Sequence, residues 1–159
     1  MKIKLFSRGT LLGLAASLSF VLVSCDKDDD DPQPDVTYSI SGDASGAQEV
    51  PAVTTTATGT LSGTYNATTN VLNYNINWNG LSDVATVAHF HGPALAGVTA
   101  DPIIDLSITT NGTTGNITGS STLHDSTEAH LLNGRLYYNV HTALHPAGEI
   151  RGQVTAVEQ

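Results

Sequence analysis

Val71-Leu72-Asn73-Tyr74-Asn75-Ile76-Asn77-Trp78-Asn79 alternates without a break, with Leu72, Tyr74, Ile76 and Trp78 on one side and four asparagines on the other. Successive side chains of a strand point to opposite faces, so this is an antiparallel strand with one face buried and one in water. Just before it, Gly59, Leu61, Gly63 and Tyr65 alternate with Thr58, Thr60, Ser62 and Thr64. Asn66-Ala67-Thr68-Thr69-Asn70 supplies the hairpin loop between the two runs, which are therefore expected to pair.

The same period continues outward, with further strands expected at Thr37 to Ser41, Val84 to His91, Ile103 to Ile108, Gly115 to Leu123, Leu136 to His141 and Glu149 to Ala156. In Val84 to His91 the better burial puts Val84, Ala88 and Phe90 inward. One helix near 126–132 interrupts the strands: Asp125 is its expected N-cap with Glu128 three residues on, and Asn133-Gly134 its stop. Only 13% of the 159 residues are charged, and Thr, Asn, Gly and Val are abundant, a composition that suits strands and turns. The expected fold is all-β, an antiparallel Greek-key sandwich or barrel of about seven to nine strands with one short helix.

The first residues read as an appendage. Lys2, Lys4 and Arg8 precede the apolar stretch Leu11 to Val23, the order of an export signal over residues 1–24. Leu22-Val23-Ser24-Cys25 resembles a bacterial lipobox, which makes Cys25 the expected lipidation site. Residues 25–35, with Asp28 to Asp31, Pro32 and Pro34, form an acidic run too poor in apolar groups to fold, and so an expected disordered tether. An acidic run at this place resembles the signal carried by surface-exposed bacterial lipoproteins, so the outer face of the outer membrane is expected, with a periplasm-facing location as the alternative. Residues 36–159 are the folded domain.

The formal charge of -9 includes three cations that depart with the signal, leaving Lys27, Arg135 and Arg151. No basic patch remains to neutralise phosphates, which excludes nucleic acid and leaves the lipid as the only expected link to a membrane. Cys25 is the sole cysteine, so no disulfide can brace the domain.

The residues with the most chemistry are histidines. His89 and His91 are one residue apart, so a strand presents both on one face, and Gly92-Pro93 then ends it. His141 closes Leu136-Tyr137-Tyr138-Asn139-Val140-His141, where burial of Leu136, Tyr138 and Val140 turns Tyr137, Asn139 and His141 outward. All three histidines are thus expected on an outer face near strand ends. Such a trio suits copper or, as second choice, zinc, with ring nitrogens about 3–4 Å apart and affinity falling as pH drops through about 6. The alternative is imidazoles hydrogen-bonded to carbonyls or to an acidic group. His124, His130 and His145 flank the helix or sit in a turn and carry less. Glu149 and Arg151 are expected together on the outer face of the last strand, as an exposed ion pair with each other or with Glu49, or as a binding spot.

Four blocks, Gly46-Ala47-Gln48-Glu49-Val50-Pro51, His89-Phe90-His91-Gly92-Pro93, Leu136 to Thr142 and Pro146-Ala147-Gly148-Glu149-Ile150-Arg151-Gly152-Gln153, resemble in order the signature blocks of the CHRD domain. The resemblance spans residues 38 to 156 and implies an extracellular β-sandwich, immunoglobulin-like or superoxide-dismutase-like, without an assigned activity. A fainter resemblance to copper-zinc superoxide dismutase places His89, His91 and His141 where that family carries copper-binding histidines. That family's histidine-rich metal loop is replaced by Ala94 to Pro102, with only Asp101 as a possible ligand, and Arg151 lies within a strand. The resemblance therefore implies no zinc site and argues against dismutation.

Two functions follow. One is a surface-anchored, non-catalytic module that binds or adheres to an extracellular protein or polysaccharide, since no nucleophile stands with a base. The other is a copper-binding protein or dismutase-like redox enzyme using His89, His91 and His141.

Overall fold

The computed structural model describes residues 35–159. The export signal, Cys25 and all of the tether before Asp35 lie outside the described residues. The elements run β1 (Thr37–Ser45), β2 (Thr58–Asn66), β3 (Val71–Asn79), β4 (Ala85–His91), β5 (Pro102–Leu106), β6 (Gly115–Thr122), α1 (Asp125–Leu132), β7 (Tyr137–Thr142), β8 (Ile150–Gln153) and β9 (Thr155–Glu158).

All nine strands belong to one antiparallel sheet in the order β5-β4-β7-β8-β1-β2-β3-β6, with β9 also paired to β1. Consecutive strands β3 and β4 stand far apart in this order, so the chain crosses from one half of the sheet to the other, as Greek-key connections do. The halves nevertheless touch: Tyr74 of β3 meets Phe90 of β4 edge-on, ring centroids 5.4 Å apart. The sheet must curl on itself to bring them together, and the result is a nearly closed barrel. This is the all-β Greek-key fold expected from the alternation.

Inside the curl lie Leu72, Ile76 and Trp78 of β3, Leu61 and Tyr65 of β2, Phe90 of β4, Tyr138 and Val140 of β7 and Ile150 of β8, all buried. The β2–β3 hairpin pairs in full register from Thr58↔Asn79 to Asn66↔Val71, and Asn70 takes the left-handed conformation at its tip (φ 58). Tyr74 and Trp78 face glycines of β6 across the ladder, Gly119 and Gly115. A Cβ at Gly119 would lie 2.6 Å from the Tyr74 hydroxyl, and one at Gly115 2.5 Å from Trp78 Cζ2. Small residues on β6 are what seat the large ones on β3. The indole N–H is satisfied as well, donating to the Gly112 carbonyl at 3.0 Å.

Three expectations are corrected. Val84 does not face inward but is 44% exposed, because the β4–β7 register shifts between Ala85 and Val87 and Ala85 takes the buried place. Asp125 is not the N-cap of α1: His124 is, without a side-chain cap bond, and Asp125 stands in the first turn, where its charge complements the helix dipole. The expected last strand is two strands, since Val154 leaves the ladder and donates its N–H to the Leu136 carbonyl at 2.9 Å. The helix stop holds, with Asn133 as C-cap and Gly134 in the left-handed region (φ 63).

Candidate metal centre

With Ala88 and Phe90 buried in the barrel, alternation sends His89 and His91 to the other face of β4. The register with β7 sets His89 opposite Asn139, His91 opposite Tyr137 and Val87 opposite His141. Asn139 in turn pairs with Arg151 of β8 on its other side. A single polar patch therefore crosses three neighbouring strands, and its members are brought together by register alone.

One ring nitrogen from each of His89, His91 and His141 lies within 4.8 Å of the others. His89 Nδ1 is 3.1 Å from His141 Nε2. The far nitrogens are held by oxygens: His91 Nδ1–H donates to the Ala100 carbonyl at 2.9 Å, and His141 Nδ1–H to the Pro146 carbonyl at 3.0 Å. His89 Nε2 lies 3.6 Å from Asp105 Oδ1, a carboxylate 94% exposed on β5. This fixes the tautomers of His91 and His141 with both Nε2 atoms unprotonated. Metal-ligating histidines are oriented in this way, through a carbonyl or carboxylate on the nitrogen that does not bind.

The expected convergence is present, but the expected exposure is not. His91 and His141 are each only 7% exposed, because the segment after β4 lays Ala100 over His91 and the turn after β7 lays Pro146 over His141. Burial lowers the pKa of both rings, outweighing the carbonyl bonds that raise it, so both favour the neutral, ligating form. Asp101 and His124 are exposed and His130 and His145 half-buried, all four outside the cluster.

Glu149 and Arg151 also differ from expectation. Neither is at the surface, with exposures of 0% and 1%, and the two serve different partners. Glu149 accepts from Thr55 Oγ1 (2.9 Å), Ser82 N (2.8 Å), Ser82 Oγ (2.7 Å) and Thr142 Oγ1 (2.9 Å). Burial opposes its ionisation, yet these bonds win and hold its carboxyl below the ordinary range. Arg151 lies flat on Tyr137, its guanidinium carbon 3.5 Å from the ring centre, and donates to the Leu95 carbonyl at 3.3 Å. The other face of Tyr137 stacks on His91 at 4.7 Å and 6°. Burial lowers the Arg151 pKa against the opposing charges of Tyr137 and Glu49. An exposed ion pair is ruled out because loops cover this face of β7 and β8.

Two participants were given no place at the centre by the sequence, where Glu49 stood only as a surface partner for Glu149 and Arg151. Asn139 was placed outward with His141 by the same alternation but given no role; it is buried, with Oδ1 2.9 Å from both His91 Nε2 and His141 Nε2. Glu49 follows the turn Gly46–Gln48 and reaches the centre from the β1–β2 connection, for which no periodic signal exists. Burial pushes its carboxyl up to about 7, against the pull of Arg151, the Val50 N–H and Asn139. The Asn139 amide is near enough to act on that charge, while Glu49 Oε1 itself lacks a well-aligned hydrogen bond.

Fold and site together define an all-β barrel module with a covered histidine cluster on its outer face. The family model for the CHRD domain matches residues 40–154, and the chain belongs to the CHRD domain family. No curated protein and no solved structure matches the chain.

Proposed function

We propose that the chain is an anchored extracellular binding module whose CHRD domain holds one transition-metal ion between His89, His91 and His141. The observation that carries this reading is the convergence of three ring nitrogens within 4.8 Å. Metal–nitrogen bonds of about 2.0–2.1 Å set ligand nitrogens of a tetrahedral ion roughly 3.3 Å apart, close to the 3.1 Å between His89 and His141. Copper is favoured over zinc by the resemblance of the two histidine strands to copper-binding ones. The role is retention of an ion, not turnover, in keeping with burial of two of its ligands. Anchorage is assigned to lipid on Cys25, with the outer face of the outer membrane as its place.

Metal analysis and titration of the untagged chain test the centre. One equivalent of copper or zinc is expected at neutral pH, with superoxide dismutation at background; a chain that takes up neither ion ends the reading. Replacing Cys25 with Ser should release the protein from the membrane fraction, and unchanged partitioning would remove the anchor.

A second reading, adhesion to a neutral polysaccharide, rests on the outer face of β2, β3 and β6. Ser62, Thr64, Asn73, Asn75, Thr118 and Ser120 line a shallow depression there of about 500 Å³. Hydroxyls and carboxamides without a charge suit sugar hydroxyls. Asn75→Lys should abolish pull-down by insoluble polysaccharide if that face binds it, and equal capture of parent and variant would discard the idea.

A further inference from the structure

We infer that the ion has a fourth protein ligand, Asn139 Oδ1, and that Glu49 is the positioning residue which keeps this oxygen turned toward it. The inference rests on the three-histidine centre proposed above. Both Nε2 atoms that face Asn139 belong to rings whose protons sit on Nδ1 and are given to carbonyls. Their Nε2 atoms therefore offer lone pairs, and Asn139 Oδ1, 2.9 Å from each, offers another. Acceptor faces acceptor at hydrogen-bond distance, which repels unless a cation lies between them. Three separations, Asn139 Oδ1 to His91 Nε2, Asn139 Oδ1 to His141 Nε2 and His141 Nε2 to His89 Nδ1, are 2.9 to 3.1 Å, the length of an edge of a coordination polyhedron, and the three ring nitrogens lie within 4.8 Å of one another.

Turning the amide over would present N–H groups to the rings, but it would press Oδ1 against the Glu49 carboxylate. The space for Glu49 is kept by Gly148: a Cβ there would collide with Glu49 Oε1 and come within 2.8 Å of Asn139 Nδ2. The backbone of Gly148 (φ 122) disfavours any side chain there in addition. Three imidazoles and a carboxamide oxygen form an uncharged, borderline-to-hard donor set. It suits a divalent ion such as Cu²⁺ or Zn²⁺ better than Cu⁺, which prefers sulfur.

Cobalt(II) titration of the untagged chain reads both affinity and coordination, because the visible absorption of the ion follows its donors and their number. Asn139→Ala is expected to weaken binding about 10–100-fold and to change the spectrum as water replaces the amide; Glu49→Leu is expected to weaken it about tenfold, with recovery in Glu49→Gln, which keeps an oxygen beside the Asn139 amide. Circular dichroism checks that each variant is folded. A parent chain that binds no cobalt, copper or zinc removes the histidine centre itself. A parent that binds, with a folded Asn139→Ala matching it in affinity and spectrum, overturns this inference alone. Should Asn139→Ala fail to fold, Asn139→Asp decides: a charged oxygen on the ion should tighten binding about tenfold, and unchanged affinity overturns the assignment.

Discussion

β3 and β7 both alternate apolar with polar residues, yet one is half wet and the other is buried throughout. Along β3 each asparagine from Asn73 to Asn79 is exposed and each apolar neighbour buried, whereas in β7 all six residues from Tyr137 to Thr142 are buried. In β3 the polar side chains answer to water. In β7 they answer to one another and to the backbone of covering loops, so Asn139, His141 and Thr142 each have assigned partners. The same binary pattern thus encodes a solvated face in one half of the barrel and a second, polar core in the other. The inner face is alike in both halves, so differences between variants should follow the outer one.

The largest effect is expected on the shared inner face. Trp78→Ala removes a buried ring and leaves a cavity beside Gly115, and urea unfolding should show a loss of about 3–5 kcal/mol. A loss under about 1 kcal/mol would mean that the inner face of β3 does not build the core. Next is the polar core: Glu149→Gln should cost about 1.5–3 kcal/mol at neutral pH, as four donors lose a charged acceptor. Since the folded carboxyl is held below its ordinary value of 4.5, this contribution is complete above that pH and is lost as pH falls through the folded value. The gap between parent and variant should therefore close in acid. A gap independent of pH would show that Glu149 acts by shape alone.

Arg151→Lys is expected to cost less, about 1–2 kcal/mol, because an ammonium cannot lie flat on Tyr137 as the guanidinium does. Equal stability of the two would reduce Arg151 to a spectator. The smallest change belongs to the wet face: Asn75→Ala should stay within about 0.5 kcal/mol. A cost as large as that of Glu149→Gln would erase the distinction between the two strands.

These strands also show what could be read in advance. The β2–β3 hairpin, the helix stop at Asn133-Gly134 and the meeting of His89, His91 and His141 all depend on period and register, which the residue pattern records. Val84 was misplaced because a bulge adds a residue to one strand and breaks the period without leaving a mark in composition. Glu149 and Arg151 were read as surface residues because alternation with Ile150 and Gly152 puts them on the outer face of a strand, and charge on an outer face usually means water. Their burial depends on segments such as Ala94 to Asp101, whose backbone folds over the strands without any repeat that announces it. Asn139 was oriented correctly and its importance missed, since a lone asparagine beside a histidine looks like the asparagines of β3. Only its surroundings tell them apart.

β1 is paired on both sides near its start: Tyr38 and Ser39 match Tyr65 and Thr64 of β2, and also Glu158 and Val157 of β9. The Gln159 amide donates to the Thr37 carbonyl at 3.0 Å and closes the same seam. Any tension arriving along the chain from residue 35 enters the barrel at this strand, where two ladders share the load. Extracting β1 means breaking both, so the domain is gripped at an interior stave and resists being peeled open from a loose edge.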